Sequence, residues 1–414
     1  MLNKILLFAI ILNFLVLVPC EGFCFTGARS QGLCNASTAS SRGLESIAWN
    51  PANLIIDSGS DFEIILPSLA IDAGNNSFSL NRYNEISGAV LTNADKLEIL
   101  SDIPDGGLSM DLNANAVLLG VRKGNMALTF QGAGTGYGTI DKDVVDLVLM
   151  GNEINQEFRF EDTDAQGHGI AKATLSYARP LITNKVYRLS AGVNTHYLHG
   201  IYGFDIASAD GSIITELSGI NGSASAEYLT AKGGSGYAVD VGLCLQAPDG
   251  WTFGLAIQNI AGSMNWDTDV ERHLWSVTAD SITILSDDIS DNVTTTESTT
   301  VGQTWSENPA GIVRAGCSKS FGLVLCSADI SKYLAKRSGQ QNTPEFSFGC
   351  EFGSTFIQPR FGVAVGGPAY RRAAAGLGLN VGSAHLDVAV ATAGGFANED
   401  SQGLAIASSM IVRF

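Results

Sequence analysis

The C-terminal segment constrains the fold most, because bulky apolar residues alternate there with small or polar ones and the last residue is aromatic. The apolar set is Leu404, Ile406, Met410, Val412 and Phe414, and the other set is Ala405, Ala407, Ser409 and Arg413. This alternation is expected of a strand with one face in lipid and the other towards the interior of a transmembrane β-barrel. We expect Phe414 to act as the signal that the barrel-assembly machinery recognises.

The N-terminus has the pattern of a secretory signal peptide. Lys4 supplies a positive charge, an apolar run covers residues 5–18, and small residues near Gly22 and Cys24 offer a cleavage site. The apolar run is too short to cross a membrane as a helix. We therefore assign residues 1–24 to the signal.

Composition favours one large closed sheet after the signal. About 390 residues remain, and no Pro- or Ser-rich linker divides them. They contain no further run of about eighteen apolar residues, so any membrane span must be made of strands. The 47 glycines and 10 prolines suit long strands joined by tight turns. A net charge of −17 disfavours a nucleic-acid partner, which needs a basic patch.

Period-two alternation predicts strands along most of the chain, most clearly in a hairpin around Pro248, Asp249 and Gly250. The predicted strands are 60–73, 107–122, 125–138, 166–179, 186–206, 212–219, 222–232, 236–247, 251–265, 309–320, 323–335, 344–353, 357–366, 371–382, 384–395 and 403–414. They are longer than the strands of a soluble β-sandwich. Short turns alternate with long connections, as in outer-membrane barrels, where the long loops lie outside the cell. The fold class is therefore all-β, a transmembrane antiparallel up-and-down β-barrel of 14 or 16 strands.

Two insertions have the pattern of short helices in extracellular loops. Thr92 to Asp95 resembles a capping box and Pro104 provides a stop, while a second apolar-periodic stretch follows Asp141. Both helices would lie where they can cap the lumen.

The connection 266–308 is strongly acidic, with nine acidic residues against Arg272 alone, and it contains the polar run 294–300. This composition predicts a long solvated loop. The alternative is a divalent-cation site that bridges loops or lipopolysaccharide.

Cysteine placement offers one cross-strand pair. If residues 321 and 322 form a two-residue turn, Cys317 and Cys326 lie directly opposite each other. Export implies an oxidising compartment, so a disulfide is one interpretation, and small apolar filling is the other.

No catalytic constellation emerges. His196 and His199 are three apart on a predicted strand and therefore point to opposite faces, which prevents a shared metal ion. No Gly-x-Ser-x-Gly elbow occurs. The sequence therefore predicts no enzyme, cofactor or metal site.

Four glycines alternate along one predicted strand, at Gly132, Gly134, Gly136 and Gly138. They do not open a helix and so do not form a phosphate loop. One interpretation is room for a close-packed plug or for bulky neighbours. The other is a kinked wall strand that opens a lateral route for an apolar ligand.

The segment before the first strand resembles the plug opening of FadL-like outer-membrane proteins. Small residues over 28–39 precede Asn50, Pro51, Ala52, Asn53 and Leu54. Further patches resemble the PorV-type branch of that family. They are Gly236–Gly242, Gln258–Gly262, Arg314–Gly316, Gly349–Glu351 and Pro359–Gly362. By itself, Pro51 predicts a turn in which the preceding residue is extended.

The resemblance implies a plug at residues 25–59, folded into the periplasmic mouth of a barrel at 60–414. It also implies a multi-pass protein of the bacterial outer membrane that contacts lipid and lipopolysaccharide. Two functions remain open. One is FadL-like transport of a hydrophobic small molecule through the plugged barrel, and the other is a scaffold that holds a secreted or surface protein.

Overall fold

A computed structural model describes residues 27–56, 59–161, 163–283, 292–334, 343–354, 356–367, 369–397 and 399–414. The predicted signal at residues 1–24 lies outside the described residues. Within the described ranges, no helix is long and apolar enough to cross a membrane.

Strands make up most of the described chain. In chain order they are β1 (Phe62–Asn75), β2 (Leu108–Lys123), β3 (Met126–Ile140), β4 (Glu157–Arg159), β5 (Asp164–Thr183), β6 (Arg188–Glu216), β7 (Gly219–Ala231), β8 (Gly233–Gln246), β9 (Trp251–Thr268), β10 (Glu271–Ile282), β11 (Val293–Val301), β12 (Trp305–Glu307), β13 (Ile312–Phe321), β14 (Val324–Tyr333), β15 (Glu345–Phe352), β16 (Ile357–Gly366), β17 (Arg371–Val381), β18 (Ala384–Ala393) and β19 (Gly403–Arg413).

Fourteen of these strands form a closed antiparallel wall, which confirms the predicted barrel. The wall strands are β1, β2, β3, β5, β6, β8, β9 and β13 to β19, each paired with the next. The ring closes where β19 pairs with β1. A closed wall leaves no unpaired edge, as lipid requires.

The closure is reinforced at the end of the barrel that carries the short turns, called here the turn end. Arg413 Nε lies 3.2 Å from Glu63 Oε1, and the backbone N–H of Phe414 donates to the carbonyl of Phe62 over 2.9 Å. The rings of Phe62 and Phe414 are 5.7 Å apart. Recognition of Phe414 by the assembly machinery stays a prediction.

The last strand has the two faces that the sequence predicts. Leu404 and Ile406 are about half exposed on the outer face, whereas Ala405 and Ala407 are buried on the inner face. The same division recurs along the wall, so large apolar side chains cover the outside and small or polar ones line the lumen.

Beyond the wall, at the end opposite the turns, the sheet continues into an extension. From Gly203 onward β6 pairs with β7, β7 pairs with β10, and β10 pairs with β11. On its other edge β6 pairs with β4. Because β6 runs on continuously to Glu216, the two strands predicted at 186–206 and 212–219 are one.

The prediction of a long solvated loop over 266–308 was wrong for most of that range. Residues 271–282 and 293–301 are strands β10 and β11 of the extension. The polar run was misassigned because its threonines, although hydrophilic, are β-branched and suit a strand that is solvated on both faces. Of the nine acidic residues behind the cation-site alternative, Asp287, Asp288 and Asp291 lie outside the described residues, and the other six form no cluster that could hold a metal ion by themselves.

The described residues also form four short α-helices and three 3₁₀ helices. They are α1 (Ala28–Gly32), α2 (Leu80–Ile86), α3 (Asn93–Asp102) and α4 (Lys142–Met150), with 3₁₀ helices at Gly43–Ala48, Pro51–Ile55 and Pro248–Gly250. Both predicted helices are confirmed. Thr92 and Asp95 form a capping box at the start of α3, and Asp141 caps α4.

The sequence analysis did not predict α2, which is only seven residues long and buries none of them. It is held instead by tertiary ion pairs. Arg82 lies 3.1 Å from Glu98 and 3.1 Å from Asp102, both on α3.

The topology predicts which ends of the protein are accessible. Ser298, on β11 of the extension, and Asp249, in the turn before β9, are both exposed and lie at opposite ends of the barrel. A cysteine at Ser298 should react with a membrane-impermeant maleimide on intact cells, and a cysteine at Asp249 only after permeabilisation. The chain without an added cysteine is the control, and the opposite labelling pattern would invert the orientation.

Candidate functional site

Residues 27–56, called here the inner segment, lie inside the barrel towards the turn end, and most of their side chains are buried. The segment contains α1 and two 3₁₀ helices. Asn50 is extended, with φ −155° and ψ 104°, and its side chain accepts a hydrogen bond from the backbone N–H of Ala52 over 3.1 Å. Pro51 follows as the first residue of the second 3₁₀ helix, where its missing N–H costs nothing.

A row of wall glycines, called here the glycine belt, receives the inner segment. Its members, from seven strands, are Gly192, Gly242, Gly254, Gly316, Gly349, Gly362 and Gly376. A Cβ atom at Gly362 would lie 2.5 Å from the carbonyl carbon of Leu33, and one at Gly242 would overlap Asn50 Oδ1. The belt therefore lets backbone approach backbone where any other residue would clash.

Strand β14 carries an anion in this row instead of a glycine. Asp329 pairs in register with Gly316, and its Oδ2 accepts hydrogen bonds from the backbone N–H groups of Ser37 (2.9 Å) and Thr38 (2.7 Å). Hydrogen bonds to an ionised acceptor are stronger than neutral ones. Asp329 thus fixes the turn that follows α1.

A buried chain of ion pairs ties α1 to three wall strands. Arg29 Nε lies 2.8 Å from Glu351 Oε2, the same carboxylate lies 2.5 Å from Arg360 Nε, and Arg360 in turn pairs with Asp387. Burial lowers the pKa of the Arg29 guanidinium, but the carboxylates of Glu351 and Glu45 outweigh that effect, so the pKa lies above its ordinary value. Arg29 is therefore charged at every relevant pH.

Wall amides and hydroxyls bind the backbone of the second half of the segment. The Asn194 amide donates to Ile47 O (2.8 Å) and the Gln258 amide donates to Ala48 O (2.6 Å). The Ser190 hydroxyl donates to Ala52 O (3.0 Å). The Asn50 side chain donates to Leu243 O over 2.9 Å. The predicted motif of Asn50, Pro51 and Ala52 is thus fully buried against β6 and β8.

A cavity of about 560 Å³ lies above the inner segment, on the side away from the turns. Gln31, Asn35 and Trp49 line it from below, and polar and aromatic wall side chains surround it, including Asp72, Asn75, Asn113, Asn115, Tyr137, Tyr370 and Arg372. Three buried atoms here have no partner among the described residues: Gln31 Nε2, Asn35 Oδ1 and Arg372 Nε.

The four glycines of β3 lie on the outer face of the wall. Their neighbours Ala133, Thr135 and Tyr137 are the buried, inward-facing residues, and a Cβ atom at Gly132 or Gly134 would meet nothing within 4 Å. The interpretation that the glycines make room for the plug was therefore wrong. Pairing with β2 and β5 is continuous through Gly132, Gly134, Gly136 and Gly138, so the wall is closed here and lateral opening stays a prediction.

The predicted pairing of Cys317 with Cys326 was wrong by two residues, because the turn lies one residue further along the chain. The turn centres on Gly322 and Leu323, with Phe321 opposite Val324, so Cys317 faces Ala328. Gly322 adopts a φ of +61°, which glycine tolerates best, and this moves the turn one residue along.

The histidine prediction is confirmed in its geometry. His196 is buried in the lumen, with Nε2 2.8 Å from Asp240 Oδ2, while His199 is exposed on the outer face. They do not share a site.

Sequence reasoning missed the glycine belt and the ion-pair chain. The available signal was the presence of charges within spanning strands, at Asp329, Glu351, Arg360 and Asp387. In a wall exposed to lipid such charges must face inward and find partners.

The belt can be tested with two matched glycine variants. Gly242→Ala places a methyl group against Asn50 and should destabilise the seated segment by about 1–3 kcal/mol. Gly134→Ala points into open space on the outer face and should have little effect. Urea unfolding followed by heat-modifiable mobility, together with limited proteolysis of residues 27–56, would measure both. If both variants showed the same unfolding midpoint and the same protease sensitivity of residues 27–56, the belt would not be what holds the inner segment in place.

Known proteins resemble this chain mainly in fold. A family model described as a family of unknown function (DUF5723) matches residues 51–232. No curated protein matches the chain.

Several solved structures share the architecture over nearly their whole length. The toluene transporter TbuX of Ralstonia pickettii is 13% identical, with a TM-score of 0.53, over 94% of this chain and 98% of that one. The toluene transporter TodX of Pseudomonas putida is 8% identical, with a TM-score of 0.51, over 95% and 99%. A FadL homologue of Pseudomonas aeruginosa is 13% identical, with a TM-score of 0.51, over 95% and 100%. This likeness shows that the chain has the fold of FadL-type barrels.

Proposed function

We propose that this protein is an outer-membrane channel in which residues 27–56 act as a plug, and that it passes a small molecule from the outside towards the periplasm. The observation that carries the proposal is the seating of the inner segment on the glycine belt, directly below a cavity that faces away from the turns. Solved barrels with this fold include proteins described as toluene transporters, and this structural similarity supports the proposal of transport.

The orientation follows from the two ends of the barrel. The turn end, with Phe414, lies in the periplasm, and the extension with its acidic strands lies outside, next to lipopolysaccharide. The cavity is then the entry side and the plug closes the exit.

The cavity lining indicates what kind of molecule enters. Tyr137, Tyr370 and Ile71 offer apolar surface within a lining that is otherwise largely polar, so the apolar part of a small molecule gains from burial there. The cargo class is therefore a small molecule with an apolar part, and polar groups that it carries would meet the amides and charged side chains of the lining.

The plug can move without unfolding the wall. Its strongest side-chain anchors are the Arg29–Glu351 pair and the two N–H groups held by Asp329. Release breaks these bonds but leaves every wall ladder intact, and Glu351 keeps Arg360 as its partner.

Release of the anchor should open the channel. Arg29→Gln removes the plug-side charge, so the plug should detach more often, and the conductance of the purified protein in planar bilayers should rise. Uptake of toluene and of benzyl alcohol by cells should rise as well. Wild-type protein should itself exceed an empty vector in uptake.

Arg159→Gln is the matched control, because Arg159 pairs with Glu157 on the exposed extension, where an ion pair contributes little. It should leave conductance and uptake unchanged. If neither the wild type nor Arg29→Gln conducts or takes up either compound, although both fold, transport is excluded and the scaffold that holds a secreted or surface protein takes its place.

A further inference from the structure

Strands β14 and β15 place two cysteines directly opposite each other. Cys326 and Cys350 are register partners, and their Sγ atoms are 2.7 Å apart. In this structure both are free thiols. Opposed residues of an antiparallel pair bring their Cβ atoms to about 4.5–5.5 Å, close to the span that a disulfide bridges.

The pair lies on the outer face of the wall, near the turn end. Gly349 and Glu351, on either side of Cys350, face inward to the inner segment, and Ser327 beside Cys326 is buried. Phe348 and Phe352 share the face of Cys350 and are about half exposed. Both thiols therefore lie beside the periplasmic rim and away from the lumen.

We propose that Cys326 and Cys350 are joined by a cross-strand disulfide in the exported protein. The oxidant is a disulfide-bearing thiol oxidoreductase of the cell envelope. The thiolate of one cysteine attacks the oxidant's disulfide, releases one of the oxidant's sulfurs and forms a mixed disulfide with the other. The second cysteine thiolate then attacks the barrel sulfur of the mixed disulfide and releases the oxidant's other sulfur. One disulfide forms in the barrel, one is reduced to a dithiol in the oxidant, and the two protons pass from the barrel thiols to that dithiol.

Cys317 provides an internal control on the same face. It lies on β13 opposite Ala328 on one side and Phe253 on the other, so no cysteine faces it in register. Cys34 and Cys244 are buried, and burial raises the pKa of the Cys34 thiol to about 12, which makes it unreactive.

The bond would pin β15 at the position next to Glu351, which holds Arg29. The disulfide itself does not depend on the transport proposal, and only this link to the plug rests on it.

Tryptic peptides distinguish the cysteines, because cleavage after Lys and Arg separates residues 315–319, 320–332 and 338–360, which carry Cys317, Cys326 and Cys350 respectively. The protein is purified from outer membranes, alkylated with N-ethylmaleimide, denatured without reductant and digested. We expect peptide 320–332 linked to peptide 338–360, released by reductant, and peptide 315–319 alkylated.

The variants complete the test. Cys326→Ser should leave Cys350 alkylated, and it should lower the temperature at which the heat-modified band appears, whereas Cys317→Ser should retain the linked peptide and the wild-type temperature. Alkylation of both Cys326 and Cys350 in the wild type would overturn the proposal. So would a link between peptides 315–319 and 320–332, which would mean diagonal pairing with Cys317. The peptide analysis does not depend on conductance, so a finding that the protein does not conduct would leave the test of the disulfide unchanged.

Discussion

The closed hydrogen-bonded wall is the constraint on which everything else depends. In lipid, an unpaired backbone N–H or C=O has no water to satisfy it, so a sheet must return to its first strand. Here β19 meets β1, with Arg413 bound to Glu63 and Phe414 bound to Phe62. Once the wall is closed, the outside must be apolar and all variation in chemistry is confined to the lumen and to the extension beyond the membrane.

Inside that wall, the inner segment is held both by close approach at the glycines and by packed apolar side chains. Belt glycines such as Gly242 and Gly362 admit the segment at positions where a methyl group would clash. Leu44, Ile47 and Leu54 pack in one buried cluster with wall residues that include Ile65, Val117 and Ile411. Directional anchors such as Asp329 and Glu351 then decide where the segment sits, and their bonds can break one at a time.

Much of the wall could be predicted because lipid imposes a strict period of two, so the strand that ends at Phe414 carries its own signature. Local capping chemistry likewise identified the helix that follows Thr92. What failed depends on partners distant in sequence. The Thr-rich stretch 293–301 pairs with β10, and the turn at Gly322 lies one residue further along than predicted, which moves the partner of Cys317 by two residues. The site at Asn50 was located by resemblance to a known family. The belt glycines that surround it come from different strands, so they cannot be recognised as one row until the pairing of the strands is known.

Charge within the spanning strands is the signal that connects sequence to site most directly. A single Glu or Arg in such a strand is costly unless it faces inward and is paired, so Glu351, Arg360 and Asp387, on the nearby strands β15, β16 and β18, imply a mutual network. The wall supplies Arg360 to this network, and His385 Nε2 lies 3.1 Å from Asp387 Oδ2. Arg29, more than three hundred residues earlier in the chain, brings a second guanidinium to Glu351 and also pairs with Glu45 of the inner segment. Glu351 is therefore held between a cation of the wall and a cation of the inner segment, and this pairing helps to fix the segment at one defined place in the barrel.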